Sequence, residues 1–273
     1  MYRLSLLLLT MGSMPSSSGG VTASAGAPLI SFAEQPVCLW RDTGVYAAGR
    51  GVPLRDGDIV ASGASGASAI QVEAGAATVA LGPATQASIR IKADTIDFVL
   101  LNGWMKTQSG EVAAEAGKLV SASAGGLHFS APNSAVIVHT SLGNTELFVE
   151  GGEPVVEEAQ AGKQRQARLA REQYATKLNA QQPMKLLPRP SKQFLADMPP
   201  VFADRLVPLV AKVAAATKRE HPAVFAEVEP WLADEPALRE AIRRRLAPRK
   251  SVPAPAVQPI PRPAYPSNPR PIS

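Results

Sequence analysis

The sequence predicts a mainly β protein: an antiparallel β-sandwich or roll of many short strands, with a small C-terminal α-helical appendage and a proline-rich tail. Apolar and polar residues alternate in short segments from about residue 36 to about residue 158, as in strands that bury one face. Gly, Pro or Asn separates these segments at intervals of roughly ten residues, which is typical of all-β domains. We therefore expect a signal peptide at 1–25, a β domain at 26–180, a short-helix appendage at 181–247 and a basic, disordered tail at 248–273.

Individual strands follow from the same pattern. Residues 70–73 alternate apolar and polar side chains, and residues 98–101 form a continuous apolar run. That run ends in Asn102-Gly103, a dipeptide that favours a tight turn, so we expect a strand to end there. A further strand at residues 136–138 ends before Gly143-Asn144, where we expect a second turn.

Residues 161–179 fit two structures. Ala, Gln, Arg, Lys and Leu dominate this segment, and these residues have high helix propensity. Side chains of opposite character nevertheless alternate over residues 168–173, which is the pattern of a strand. The sequence leaves open whether the segment is a helix or the last strand.

Three short helical regions are expected after residue 190. Ser191 is a suitable N-cap for a helix at residues 192–197. Pro199-Pro200 favours the start of a second helix, whose apolar residues recur at helical spacing: Phe202, Leu206, Leu209, Val210 and Val213. His221-Pro222 ends that helix, and shorter helices are expected at residues 224–228 and 236–246. From Pro248 onward, frequent prolines exclude helix and sheet and predict an extended tail.

The N-terminus predicts export. A short basic start, Met1-Tyr2-Arg3, precedes an apolar run at residues 4–11 that is too short to cross a bilayer. Ala23-Ser24-Ala25 has the small residues of a signal-peptide cleavage site, although a disordered tail would fit the Ser/Gly-rich spacer as well. We expect a periplasmic, extracellular or cell-surface location and no membrane span after removal of the signal.

The single cysteine, Cys38, excludes an internal disulfide. Free cysteine usually behaves as a small apolar residue, so we expect a buried and unreactive thiol. An exported chain without disulfides must be held together by its core alone.

The residues that carry catalysis are scarce. Asp56-Gly57-Asp58 could be a metal or acid–base pair, but further ligands at suitable spacing are missing, and Asp and Gly favour a turn between strands. His128, His139 and His221 lack a nearby carboxylate or cysteine at metal-ligand spacing. We therefore expect no enzyme activity, no metal and no cofactor.

Charge is unevenly distributed along the chain. Residues 1–160 carry 8 basic and 14 acidic side chains, whereas residues 161–273 carry 20 basic and 9 acidic side chains. The sharpest basic cluster consists of Arg239, Arg243, Arg244, Arg245, Arg249 and Lys250. Without interleaved aromatic residues to stack bases, nucleic acid is an unlikely fit, and the cluster favours an anionic envelope partner such as a lipid headgroup, an acidic polysaccharide or an acidic protein. A solvated helix end, where cations suit the helix dipole, explains it equally well.

Several segments resemble a FecR-like domain. Residues 54–63 resemble its opening motif, in which Gly-Asp lies between apolar residues. Residues 69–85 resemble its paired strands and the following turn, and residues 98–103 resemble its strand leading into Gly. Residues 145–152 and 168–175 resemble its late strand with a glycine turn and its closing strand, although Arg171 stands where the family usually has Gly.

The resemblance covers about residues 37–178 and implies an extracytoplasmic, non-enzymatic β domain used for protein contacts. We expect a stand-alone form without the anti-sigma segment and membrane helix of the signal-relaying members. The leading hypothesis is an exported, non-catalytic binding or scaffold module of the bacterial cell envelope. The alternative is an envelope signal-sensing regulator that acts through a membrane partner, and a polysaccharide-active enzyme would require an Asp/Glu pair across a cleft. Partner identity, pathway and oligomeric state stay open.

Overall fold

A computed structural model describes residues 27–66, 68–110, 118–130, 132–160, 163–179, 181–212 and 217–247. The expected signal peptide and proline-rich tail lie outside the described residues. In the described part the strands are, in chain order, β1 (Leu29–Ala33), β2 (Val37–Arg41), β3 (Gly44–Ala48), β4 (Ile59–Ala61), β5 (Ile70–Ala74), β6 (Ala77–Leu81), β7 (Gln86–Ile91), β8 (Thr95–Ser109), β9 (Leu119–Ala124), β10 (Leu127–Ser130), β11 (Ala135–Ser141), β12 (Asn144–Gly151), β13 (Val155–Gln160), β14 (Lys163–Arg168), β15 (Tyr174–Lys177), β16 (Lys185–Leu187) and β17 (Lys218–Pro222).

The strands form two sheets joined by β8. Sheet A has the order β1-β5-β6-β8-β11-β12-β15-β16. Sheet B has the order β17-β3-β2-β4-β7-β8-β9-β10-β13-β14. Within the described residues every strand pair is antiparallel except β8–β9, which is parallel. The predicted mainly β fold with a small C-terminal helical part is confirmed.

The turn predicted at Asn102-Gly103 is wrong, because β8 continues through it. The first half of β8 pairs with β7 in sheet B, and the second half pairs with β6 and β11 in sheet A. Gly103 has φ +93°, and a Cβ at this position would lie 2.5 Å from Oγ1 of Thr85. Glycine is therefore needed for a bend between sheets and a close approach, not for a hairpin. The turn predicted near Gly143 is confirmed: Leu142 and Gly143 both have positive φ, as a two-residue hairpin turn of type I′ requires.

The main core lies between the two sheets. Val72 and Val138 from sheet A face Phe98 and Phe129 from sheet B, and all four side chains are almost fully buried. Small residues fill much of the remaining interface, among them Ala74, Ala87, Ala122 and Ala124. These small side chains let the sheets pack closely, which explains how a chain with few aromatic residues builds a dense core.

Residues 163–177 form two strands, which resolves the ambiguity between helix and strand. β14 pairs with β13, and β15 pairs with β12 in the other sheet. Leu169, between them, is fully buried in the core. Pairing with strands already in place overrides the helix propensity of this segment.

The helices are α1 (Lys192–Asp197), α2 (Phe225–Val228) and α3 (Pro236–Leu246), with 3₁₀ turns at Pro200–Phe202 and Glu229–Leu232. The Ser191 N-cap is confirmed, because its side chain accepts a hydrogen bond from the Phe194 amide. The helices expected at 224–228 and 236–246 are also found.

The helix predicted after Pro199 is wrong. The chain makes one 3₁₀ turn and then continues without regular secondary structure to Lys212. Pro208 lacks an amide hydrogen and disfavours helical backbone at Val207. We call residues 200–212 the strap.

The C-terminal segments cover both outer faces of the sandwich. On sheet A, Phe194, Phe202 and Leu206 pack against Trp104 and Tyr174. On sheet B, residues of α2, α3 and the intervening 3₁₀ turn pack against β2, β3 and β4, the buried members being Trp40, Val45, Ile59, Ala61, Val228, Leu232 and Ile242. β16 joins sheet A and β17 joins sheet B. The helical part is thus packed on the β-sandwich as two covers, one for each outer face.

Candidate functional site

The predicted arginine cluster lies largely on α3, where its members contact the protein itself. Arg239 and Arg243 both pair with Glu229, and the Arg243 guanidinium lies 4.9 Å from the centre of the Phe225 ring. Arg244 donates from Nε to Glu240 at 2.8 Å but has an exposed side chain. Arg249 and Lys250 lie outside the described residues.

Arg245 holds α3 against sheet B. Its NH1 donates to the carbonyl oxygen of Gly57 at 2.6 Å. Burial lowers the pKa of the Arg245 guanidinium, although the nearby carboxylates of Asp58, Asp42 and Asp56 act in the opposite direction. Three of the four described arginines therefore have structural contacts, and Arg244 is the most exposed of them.

The Asp56-Gly57-Asp58 segment is a turn, as predicted. Asp58 is buried and accepts from Arg41 twice, Nε to Oδ1 at 3.0 Å and NH2 to Oδ2 at 2.6 Å. It also accepts from the Arg55 amide at 2.7 Å, and Asp56 accepts from the Ile91 amide at 2.7 Å. Both carboxylates thus fix the backbone that leads into β4, and Asp58 neutralises a buried guanidinium. Sequence spacing did not indicate the pairing of Arg41 with Asp58, because Arg41 ends β2 and Asp58 lies in the turn before β4.

A cluster of Ser, His and Asp lies on the outer face of sheet B. Asp97 accepts hydrogen bonds from Ser121 and Ser123, and its Oδ1 lies 3.8 Å from His128 Nδ1. In a catalytic triad the histidine stands between the carboxylate and the nucleophile. Here Ser123 binds Asp97 directly and also meets the same His128 nitrogen at 3.1 Å. This geometry orders the surface of neighbouring strands instead of activating a nucleophile.

A second polar cluster lies on sheet A under α1. His139 Nδ1 meets Glu146 Oε2 at 3.1 Å, and Tyr174 donates its hydroxyl to Oε1 of the same carboxylate. The Trp104 ring stacks on His139 with centroids 4.2 Å apart. The hydrogen bond from His139 is the main cause that lowers the pKa of Glu146, while burial and the contact with Glu146 raise the pKa of Tyr174. Phe194 of α1 closes the cluster through ring contacts with Trp104 and Tyr174.

Each histidine therefore has a carboxylate near it, which sequence spacing did not show. His221 lies 3.6 Å from Glu227, and the other two pairs join different strands. In the part of the chain that the structure describes, no three His, Cys, Asp or Glu side chains group as metal ligands would.

Lys106 of β8 is fully buried beneath the strap. Its Nζ donates to the carbonyl oxygens of Phe202 and Asp204, both at 2.8 Å, and lies 2.6 Å from Oε2 of Glu150. An ammonium group has three donors, so each has a partner here. Because an unpaired buried charge is strongly unfavourable, the strap supplies contacts that Lys106 needs in its buried position.

Four other side chains of the same region bind the main chain of the strap. The contacts are Gln108 Nε2 to the Leu206 carbonyl (2.8 Å), the Leu206 amide to Gln108 Oε1 (3.0 Å), Gln71 Nε2 to the Val207 carbonyl (2.8 Å), the Leu209 amide to Glu73 Oε1 (3.0 Å) and Arg50 NH2 to the Val210 carbonyl (2.9 Å). We call Arg50, Gln71, Glu73, Lys106 and Gln108 the polar track. The strand register aligns Gln71 with Lys106, and Glu73 with Gln108, across β6.

The terminal strands of the sheets differ in character. In sheet B, β17 carries Lys218 and Arg219 and is fully exposed, and β14 has the sequence KQRQAR. Charged residues of this kind discourage pairing with another chain. In sheet A, β16 exposes Leu186 and Leu187, with fractional exposures of 51% and 42%. β16 therefore exposes two leucines next to Lys185, whereas the terminal strands of sheet B are polar and charged.

Cys38 is exposed, so the prediction of a buried thiol is wrong. Val37 and Leu39 face the core, and the alternation of β2 turns Cys38 to the opposite side. Desolvation and the carboxylate of Glu220 raise the pKa of the thiol, which favours the less reactive protonated form.

One open cleft measures about 410 Å³ and has a mixed polar and apolar lining. It lies beside the ends of β8, β11 and β12, between Arg171 and Arg205. Glu150 is the one carboxylate among its lining residues in the described part of the chain, and it is paired with Lys106. No helix in the described ranges combines the length and the apolar character that a membrane span requires.

Comparisons with known proteins find no matching family model and no matching curated protein. Two crystal structures of a protein assigned as an anti-sigma factor from Parabacteroides distasonis, at 2.50 and 1.65 Å resolution, are similar to part of the chain. Each has a TM-score of 0.40 and 12% sequence identity, and each match covers 50% of this chain. The matches span 62% and 63% of those structures, less than two thirds of their length.

Proposed function

We propose that the chain is an exported, non-catalytic binding module of the bacterial cell envelope, with a FecR-like β domain as its body. The observation that carries the binding function is the pair of exposed leucines on the terminal strand β16, Leu186 and Leu187. The signal-like N-terminus and the sequence resemblance over residues 37–178 support the location and the domain type. The clusters around Asp58, Asp97 and Glu146 use their carboxylates in hydrogen bonds that join neighbouring segments of the fold. This structural use of the carboxylates supports a non-catalytic role.

The partner that best fits β16 is an envelope protein that adds an extended strand to sheet A. A free sheet edge offers main-chain hydrogen bonds, and its exposed side chains provide specificity. Leu178, with half of its surface exposed at the end of β15, extends the apolar area next to this edge. The charged β17 edge provides a matched control on the same molecule.

A photo-crosslinking amino acid at position 187, compared with one at position 219, tests this role in the native host. We expect a defined adduct with an envelope protein from position 187 and a much weaker one from position 219. Because Leu187 is itself replaced in the next variant, the crosslinker is moved to position 178. With Leu186→Lys and Leu187→Lys, the adduct should be abolished. Equal adducts at both edges, or none at β16, would contradict the proposal.

Export is tested separately by cell fractionation and N-terminal sequencing of the full-length product. We expect the chain in the periplasm or at the cell surface, beginning near Gly26. An intact N-terminus on protein found in the cytoplasm would contradict export.

The basic C-terminal segment is proposed to add salt-sensitive attachment to an anionic partner. Arg244 is exposed, and Arg249 and Lys250 follow α3 in sequence. Binding to vesicles that contain anionic lipid, or to an acidic polysaccharide, should weaken with salt and with Arg244→Gln/Arg249→Gln/Lys250→Gln. Unchanged attachment at low ionic strength would favour a merely solvated helix end.

The second candidate function is an envelope signal-sensing regulator acting through a membrane partner. The strap favours it, because a cover held by discrete contacts could take two positions, as a switch requires. Under this function, deletion of the gene should change transcription of a neighbouring operon. Under the scaffold function, deletion should change surface assembly instead.

A further inference from the structure

The polar track binds the main chain of the strap. Five strap carbonyl groups and two strap amides are bound by Lys106, Gln108, Gln71, Glu73 and Arg50. Main-chain groups are the same in every sequence, apart from the missing amide of proline. The track therefore places few limits on which sequence it binds.

Sequence preference arises at two apolar anchor points. Phe202 is fully buried and Leu206 nearly so, and both join the cluster around Trp104 and Ile137. Val207 and Val210 of the same strap are mostly exposed. The face therefore selects an aromatic residue followed four positions later by leucine.

The residue just before the strap also lies close to sheet A. A Cβ on Gly82 would lie 2.9 Å from Cγ of Pro199 and 3.0 Å from Cβ of Trp104. The missing side chain of Gly82 thus leaves room for Pro199, the residue that leads into the strap. Together with the two carbonyl groups that Lys106 binds, this makes the outer face of sheet A complementary to the main chain of the strap.

We propose that the outer face of sheet A is a peptide-binding site that its own strap occupies. The partner is a peptide segment with the strap's pattern, an aromatic residue and a leucine four residues later. It replaces the strap by making the same main-chain hydrogen bonds with the polar track. This inference rests on the proposed binding function, and it adds a second surface with its own partner chemistry.

A labelled peptide of residues 198–212 serves as the probe, and the full chain with Phe202→Ser and Leu206→Ser serves as the opened receptor. We expect saturable binding by fluorescence anisotropy, at least tenfold tighter than to the unaltered chain, whose own strap competes. A peptide with the same two serine substitutions should bind at least tenfold more weakly. Adding Gln108→Leu to the receptor should weaken binding of the natural peptide at least fivefold.

Absence of binding to an opened receptor that circular dichroism shows to be folded would overturn the proposal, as would equal binding to the opened and unaltered chains. If the double variant unfolds, Gln108→Leu alone keeps both anchors and still tests the track. In the Gln108→Leu variant, trypsin should cleave after Arg205 at least fivefold faster than in the unaltered chain. This cleavage assay uses no added peptide. Unchanged cleavage would overturn the proposal. These results are independent of the β16 crosslinks, so either proposal can fail alone.

Discussion

The two outer faces of the sandwich are covered in different ways. On sheet B, α2, α3 and the turn between them bury apolar side chains, and Trp40 meets Trp231 edge to face with centroids 5.2 Å apart. On sheet A, the strap inserts Phe202 and Leu206 and is otherwise held by hydrogen bonds to its main chain. Apolar burial gains stability with area, whereas a net protein hydrogen bond contributes little because water competes. The helical cover is therefore held mainly by apolar packing, and the strap is the more separable of the two covers.

This difference predicts which cover opens more easily. A segment with few apolar contacts and many hydrogen bonds at the surface opens more easily than a packed helix. Of the two covers, the strap is therefore the one that a partner would displace with less rearrangement. The following predictions test the contrast, from the largest expected effect to the smallest.

Truncating a matched leucine on each cover should separate them most strongly. Leu232→Ala removes a fully buried side chain from the helical cover and should lower the global free energy of unfolding by about 2–5 kcal/mol. Leu206→Ala removes a similarly buried side chain from the strap, but the strap can open alone, so the global loss should be clearly smaller. Urea unfolding followed by tryptophan fluorescence measures both. Equal losses would contradict the separability of the strap.

Lys106→Met should loosen the strap with a smaller global effect. The substitution removes two hydrogen bonds to strap carbonyls, each worth about 1.5–3 kcal/mol when the donor is charged. It also relieves the burial of a charge, which offsets part of that loss. Limited trypsin digestion at Arg205 should become faster, whereas the urea midpoint should move little. Lys92→Met, on an exposed turn, is the control.

The two covers should respond oppositely to acid. The pKa of Glu146 beneath α1 is lowered, mainly by the hydrogen bond from His139. Its stabilising contribution is therefore present above the unfolded pKa of about 4.3 and is lost as the pH falls through the folded pKa. The pKa of Glu235 at the start of α3 is raised, mainly by burial and despite Arg90. Its contribution is complete below the unfolded pKa and is lost as the pH rises through the folded pKa.

Acidification should therefore loosen the cover of sheet A relative to that of sheet B. Proteolysis or hydrogen exchange at several pH values, with Glu146→Gln and Glu235→Gln, measures the two responses. Each substitution should flatten the pH dependence of its own cover and leave the other unchanged. The same pH response of both covers would be inconsistent with these assignments.

The exposed arginine should have the smallest effect on stability. Arg244→Gln removes a solvent-exposed pair with Glu240, and such pairs contribute about 0.2–1 kcal/mol. Arg245→Gln removes a hydrogen bond that joins α3 to the Gly57 turn and should destabilise more. Thermal unfolding of the two variants ranks them, and the reverse order would show that α3 is not held by Arg245.

The features that could be predicted from sequence depend on local chemistry. The Ser191 cap, the Leu142-Gly143 turn and α3 follow from residues next to each other in the chain. The alternation of β5 gave its buried residues correctly, although Gln71 and Glu73 on the other face are half-buried and bind the strap. These features need no information about distant parts of the molecule.

The features that could not be predicted depend on partners far along the chain. Asn102-Gly103 gives the same local signal in a hairpin and in the bend of β8, and only the Thr85 contact distinguishes them. Lys106 would normally be expected at the surface, but carbonyl groups almost a hundred residues later surround it. The arginines of α3 resemble a binding patch until Glu229 is placed beside them.

Hydrogen exchange of the full chain, read by mass spectrometry or NMR, tests the central contrast most directly. The Leu206 and Leu209 amides, bound to Gln108 and Glu73, are compared with amides of α3 near Ile242. We predict that the strap opens with a lower free energy than α3, and that Lys106→Met speeds exchange in the strap alone. If strap and α3 amides exchange with the same opening free energy and respond together to Lys106→Met, the two covers form one unit and the account is wrong.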